Sequence, residues 1–565
     1  MTRSHFPSFA RLRTPASAAA LAAAFVTSVA LVPRTATAQA TLSHTEDAAP
    51  IPQGMIQLRI INGWTRYDER FAANGTRRTL GDELSSTAFG VAQLPRLAPV
   101  EAGLRSLAAN PALSLSLGRV DVRSDARIVT TPIALEFGIT HRLSIGVLVP
   151  IVQTRRSIQL RANADTGNGA NVGYVPGASR VTAAANNLGV FQAYQRAADS
   201  LASLISRCTP GSSAAGCAAV TANLADARAA QAAAQSFASS VKSGLGTDTS
   251  TTIVAPLAGS ALAASIEQRR SAINTSIQRY LGAVAGTTTK VFTAPNALSY
   301  IDVNGRGSDA GLLRSAFGGG LDSLHTVDRL GFGDIAVGAR FLLLDHFRHD
   351  TLPATGPQLR VTVGGNVRFA TSLPDSARNV ADIGTGQGAG VEVNSAIDLI
   401  SGRLGITGAG RYVKSFARSS TGALTGDPTV AYPQSPFGPV TRTAGDVVAL
   451  DLTPRFFLSE WLALDGHYGL ERRGTTTIAR SGTASTSVTG LEPLATGDAT
   501  IEGSTAQRVG LGARFSTVDA YLRGRARYPI EVSLTHLETI SGGVGEPKLF
   551  RDQVQLRLFY RLLGR

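Results

Sequence analysis

Two groupings of reactive side chains and one recurring residue type stand out in this chain of 565 residues. His467 lies between Asp465 and Glu471, a spacing at which a carboxylate can orient an imidazole for general acid–base work. His346 and His349, in "DHFRHD", are spaced to share a metal ion. Each has a plainer reading: His467 as a salt-bridged wall position, and "DHFRHD" as a solvated turn. A lipid hydrolase would need a serine beside a histidine; Ser395 has none next to it, and no G-x-S-x-G elbow occurs. Hydrolysis therefore ranks third among the readings below, and neither a catalytic site, a metal site nor a cofactor is expected.

The arginines carry more information, because they recur at every second position of apolar-alternating segments. In "RDQVQLRLFYRLLGR" (551–565), Val554, Leu556, Leu558, Tyr560 and Leu562 share one side of an extended chain. Gln553, Gln555, Arg557 and Arg561 lie on the other, since strand side chains alternate. The same division separates Leu359, Val361, Val363 and Val367 from Arg360 and Arg368, and Val509, Leu511, Ala513 and Phe515 from Arg508 and Arg514. Residues 520–535 repeat it, with Arg523, Arg525 and Arg527 opposite Leu522, Ala526 and Tyr528.

Twelve such strands can be phased: 54–68, 120–139, 143–157, 329–344, 357–371, 388–400, 403–417, 445–458, 460–477, 504–516, 519–537 and 549–563. Short connections, as at 140–142, 401–402, 459–461 and 516–519, alternate with long polar ones near 370–387, 418–445, 480–505 and 536–549. Short turns at one end and long loops at the other predict an all-β transmembrane chain, an antiparallel up-and-down outer-membrane β-barrel. The even count puts both barrel ends on the periplasmic side. On this phasing Arg59, Arg340, Arg360, Arg368, Arg411, Arg455, Arg508, Arg514, Arg523, Arg525, Arg527, Arg557 and Arg561 point inward, with Glu136, Asp334, Glu392, Asp398, Asp451, Asp465, Glu471 and Glu531. A lumen with that excess of positive charge would concentrate anions; alternatively, the charges pair and fill a narrow barrel.

The first forty residues fit export. Arg3, Arg11 and Arg13 precede "ASAAALAAAFVTSVALV" and then "ATAQA", the charged, apolar, small-residue order of a signal peptide, with cleavage expected after Ala40. No later apolar run approaches the 18 residues of a helical span. The net charge of +14 is dispersed rather than gathered into a run, and an exported chain meets no nucleic acid routinely, so none is expected as a partner. The expected partners are outer-membrane lipid, the barrel assembly machinery and a small solute. Outer-membrane proteins often finish on an aromatic residue read by that machinery, whereas here Phe559 and Tyr560 stand slightly inside "LLGR".

The domains expected after the signal (1–40) are a barrel N-terminal part (41–164), an Ala-rich helical insertion (165–325) and a barrel C-terminal part (326–565). The insertion is too long for a plain loop. Leu188, Phe191, Tyr194, Ala198, Leu201 and Ile205 recur at helical spacing; 218–242 and 260–283 read as helices too. Cys208 and Cys217 flank a short turn, and in an oxidising compartment a disulfide is the expected reading. Parity places this bundle outside the cell, either above the mouth or dipping into it.

"GITHRLSIGVLVPIV" (138–152), "GFGDIAVGARFLLLD" (331–345) and "GTGQGAGVEVNSAIDLI" (384–400) resemble motifs of the outer-membrane transporter family linked to the meta-pathway of phenol degradation. The resemblance covers roughly 120–160 and 328–565, and it implies passage of small, aromatic molecules. The leading expectation is a passive channel for small anionic or aromatic solutes. The alternative is a closed structural barrel that displays the helical insertion as a surface-interaction module.

Overall fold

The computed structural model describes residues 47–73, 75–165, 169–208, 212, 215–306, 309–315, 320–347, 354–424, 432, 437–480 and 497–562. The expected signal peptide and His349 lie outside these residues.

Twelve antiparallel strands form the wall: β1 (Met55–Tyr67), β2 (Val120–Gly138), β3 (Leu143–Ala162), β4 (Val327–Phe332 and Ala336–Asp345), β5 (Ala354–Arg368), β6 (Gly390–Gly402), β7 (Leu404–Ser415), β8 (Val447–Phe457), β9 (Leu462–Arg473), β10 (Ser504–Ser516), β11 (Ile530–Gly542) and β12 (Phe550–Arg561). Each pairs with its neighbour in the chain, and β12 returns to β1 from Met55↔Arg561 to Arg66↔Phe550. The sheet is closed, so no strand edge is left unpaired. β4 is in two pieces, and between them the Asp334 carboxylate accepts hydrogen bonds from the backbone N–H groups of Ser372, Gln387 and Gly388.

Alternation sets which side each residue faces. Leu135, Ile145, Val393, Leu452, Leu464, Leu511 and Leu534 are exposed on the outer surface. Aromatics collect toward the two ends, with Phe341, Phe456, Phe515 and Tyr560 near the short turns and Trp64, Phe369 and Tyr412 toward the long connections. On β2 the outward residues are apolar or Thr over 129–137 and charged above, at Asp121, Arg123, Asp125 and Arg127. That apolar stretch matches the length a tilted strand needs to cross a bilayer. The protein is thus a transmembrane barrel of the outer-membrane type, whose β2 and β3 rise above the lipid. Among the described residues no helix is long and apolar enough to cross a membrane.

One expected strand begins late. In place of a strand from 519, the connection from Thr517 to Pro529 contains a helical turn, Val518–Leu522, and β11 starts at Ile530. Gly524, at φ +71°, reverses the chain after that turn. Thr517 pins both ends of the connection: its hydroxyl donates to the Tyr528 carbonyl at 2.6 Å and accepts from the Ile530 N–H at 3.0 Å. The alternation of Arg523, Arg525 and Arg527 therefore falls on a connection and not on a wall.

Among the described residues four long helices sit at the end with the long connections: α1 (Ala98–Ala108), α2 (Gly177–Arg207), α3 (Leu224–Leu245) and α4 (Ala261–Leu281). Along α2 the buried stripe runs through Asn187, Val190, Tyr194, Ala197 and Leu201, while Leu188, expected on that face, is 37% exposed. Cys208 and Cys217 are joined by a disulfide, their Cα atoms 5.1 Å apart. Residues 80–118 pack with the insertion: Leu97, Leu104 and Leu107 share one core with Val190, Tyr194, Phe237 and Val241. That core runs on through Val120 and Val122 of β2 and Ile158 and Leu160 of β3, so the helical domain is seated on the mouth. Tyr432, from the connection after β7, clasps it by donating to the Leu84 carbonyl at 2.7 Å.

α1 crosses α3 where two glycines meet. A Cβ on Gly103 would lie 2.4 Å from the Gly244 nitrogen. Gly103→Val should therefore cost about 1–3 kcal/mol or more of docking energy and leave 80–118 open to protease, with the barrel still folded by its heat-modifiable gel mobility.

Candidate functional site

The inward faces of the strands form the candidate site, and its lower part is a belt of paired charge. Register places Glu531 opposite Arg557, and Arg557 opposite Arg59. Arg557 Nη1 lies 3.0 Å from Glu531 Oε1, and Arg514 also pairs with Glu531. Arg59 lies 3.4 Å from Glu136, Arg455 is bonded to Asp465 at 2.6 Å, and Arg360 lies 3.4 Å from Asp345. Pairing of this kind lets charge survive behind a lipid-facing wall, where a lone ion would cost several kcal/mol.

Into this belt runs a segment with no strand pairing of its own, Asp47–Gln53, which threads the barrel just ahead of β1. The Asp47 carboxylate meets Arg557 at 2.7 Å and Arg514 at 3.0 Å. The Ala48 N–H donates to Asp398 Oδ2 at 2.7 Å, and Arg340 donates to the Ala49 carbonyl at 3.2 Å. The strap is thus held by β4, β6, β10 and β12. A cavity of about 550 Å³ beside it is lined by Ala49, Pro50 and Pro52 of the strap and by Phe347, Phe457 and Phe559. Arg360 stacks on Phe347 with 4.1 Å to the ring centroid.

The upper lumen is built differently. Glu471 of β9 accepts from Arg411 of β7 at 3.2 Å, from Arg508 of β10 at 3.1 Å and from Arg473 at 3.2 Å. Asp451 of β8 lies close to Arg411 and Arg508. Arg368 of β5 donates instead to the Gly388 carbonyl at 2.8 Å. Several of these side chains keep contact with open space: Arg411 is 20% and Arg508 25% exposed, though both point inward.

The expected inward arginines of the strands, Arg59, Arg340, Arg360, Arg368, Arg411, Arg455, Arg508, Arg514 and Arg557, do point into the barrel, as do Asp451, Asp465 and Glu471. Arg561 is exposed at the end of β12. Arg523 and Arg525 lie 3.4 and 3.2 Å from Glu460 on the short-turn connections, and Arg527 packs on Tyr528; none of the three belongs to a barrel strand. Of these three, Arg523 lines the lower cavity. Sequence reasoning missed Arg473 and Arg551, which the alternation on β9 and β12 indicates if carried two residues further. It also missed Asp47, for which no periodicity gives a signal. His467 Nδ1 is 3.3 Å from Thr453 Oγ1, while Asp465 is engaged by Arg455. Among the described residues no three His, Cys, Asp or Glu side chains are grouped to hold a metal.

No protein-family model matches this chain, and no curated protein matches it. Solved structures do align with it along most of their length. An outer-membrane channel from Pseudomonas putida F1 aligns over 91% of this chain and 98% of its own, at 8% identity and TM-score 0.38. The toluene transporter TodX of P. putida aligns over 89% and 87%, at 10% identity and TM-score 0.23. A FadL homologue of Pseudomonas aeruginosa aligns over 90% of each chain, at 8% identity and TM-score 0.23. The architecture described above rests on this chain's own strand ladder.

Proposed function

We propose that the protein is an outer-membrane channel for passive diffusion of small solutes, anionic or aromatic, with no turnover and no cofactor. The observation that carries this reading is the inward face of a closed, lipid-bounded barrel that is lined with partly exposed arginines and keeps an open cavity at its periplasmic end. A barrel that served only as an anchor needs neither. The aromatic rings around that cavity suit an apolar solute, and the partly exposed arginines of the upper lumen suit an anion. Export through the amino-terminal signal and insertion by the barrel assembly machinery belong to the same proposal.

The strap and the paired lower belt favour a second reading, in which the barrel is closed and its role is to display the helical domain. Planar-bilayer recording of the refolded protein separates the two. Under the channel reading it conducts with preference for anions, and Arg411→Glu with Arg508→Glu reverses that preference. Correctly folded protein that stays silent, with the strap present or removed, leaves the second reading.

A further inference from the structure

The charges of the upper lumen are unequally shared. In the lower belt each arginine of β10 and β12 meets carboxylates in comparable number. Above it, the one carboxylate of Glu471 takes Arg411, Arg473 and Arg508, with Asp451 and Glu546 as further carboxylates near Arg508. A fourth guanidinium, Arg551 of β12, is within electrostatic reach of Arg508, Arg411 and Glu471. It makes no hydrogen bond or ion pair with the described residues, and its Nε is enclosed without an acceptor. Its guanidinium lies against β1, where a Cβ on Gly63 would be in ordinary contact with Arg551 Nε and Nη2 at 3.4 Å.

From this we infer that Arg551, Arg508 and Arg411 form a binding station for a small carboxylate. The inference rests on the channel reading and deepens it by naming a solute class. Three guanidiniums from three strands already hold a carboxylate, that of Glu471, at 3.1–3.2 Å. The group they hold has the chemistry of the ligand proposed. An arriving carboxylate takes the unfilled fork of Arg551 and the outer face of Arg508, forming charge-assisted hydrogen bonds, and the resident carboxylates keep the site from binding so tightly that the solute cannot leave. Conduction requires that balance between entry and release. A planar fork, not charge alone, is what the site offers.

Calorimetric titration of the folded, detergent-solubilised protein tests this without any flux. Benzoate and acetate are the carboxylate probes, inorganic phosphate is the competing oxyanion, and chloride is the simple ion. The expected result is saturable carboxylate binding that weakens about tenfold in Arg551→Gln, stays weakened in Arg551→Lys, and is unchanged in Arg527→Gln. Heat-modifiable gel mobility checks that each variant folds, and Arg508→Gln serves as the second variant should Arg551→Gln not fold. Binding of phosphate alone, equal binding by Arg551→Gln, or no binding by folded protein would each overturn the inference. A bilayer that stays silent while benzoate binds at Arg551 would sink the channel reading and leave the station standing. Current without carboxylate binding would do the reverse.

Discussion

Deleting residues 47–53 from the full chain should raise the unitary conductance several-fold and shift selectivity further toward anions. The strap crosses the lumen at the level where Arg514, Arg557 and Glu531 converge, and it is fixed by side chains of four strands. The ladder closing the barrel starts at Met55 and does not include it. Its loss therefore empties the lumen without unpairing the wall. The sign of the selectivity change follows from the charge that leaves: Arg557 and Arg514 lose the carboxylate of Asp47 and keep that of Glu531, so the lumen gains one uncompensated positive charge. Asp47→Asn is the milder version, keeping the bulk of the strap while removing its strongest anchor. It should give brief openings of the larger conductance rather than a steady one. Equal conductance in the deletion and the parent, both folded, would mean that solutes do not pass the strap.

Where alternation is backed by a lipid face on one side and charge on the other, the sequence reveals the strand and its phase. Residues 388–400 and 403–417 match β6 and β7 closely because every outward position there must satisfy hydrocarbon and every inward one must not. The same rule misleads at 519–529. Arg523, Arg525 and Arg527 alternate with Leu522, Ala526 and Tyr528 beside a membrane interface, where arginine, leucine and tyrosine are welcome in any conformation. The helical domain was legible as helices, but the phase of its faces was harder to read. In an alanine-rich helix a small residue costs little on either side, so Leu188 sits outside while Asn187 is buried, accepting from the Phe292 N–H at 3.2 Å. The docking of α1 depends on Gly103 meeting Gly244, a contact between distant parts of the chain that leaves no local pattern. The strap is the plainest case. Asp47 is one acidic residue in an unpatterned stretch, and only closure of the barrel brings it to Arg514 and Arg557.

The stability of the lower belt should depend on whether that strap is present. Glu531 is 2% exposed and Arg557 3%, so neither is screened by water, and breaking such a pair from one side typically costs about 3–5 kcal/mol. In the full chain, Glu531→Gln leaves Asp47 between Arg514 and Arg557, and the loss should fall at or below about 3 kcal/mol. With residues 47–53 deleted, the same substitution removes the second of the two carboxylates and leaves Arg557 opposite Arg59 in register, like charge facing like. The cost should then rise to the upper end of that range. Denaturant unfolding in lipid, run on the parent, each single change and the pair, reads the coupling directly. A cost of Glu531→Gln that is the same with and without the strap would mean that Asp47 does not share in holding these arginines. The strap would then be a passive occupant of the lumen, and its removal would change conductance without changing selectivity. A cost that grows when the strap is gone would make Asp47 and Glu531 two halves of one counter-charge, so a solute anion that displaced the strap would have to replace the carboxylate it removes.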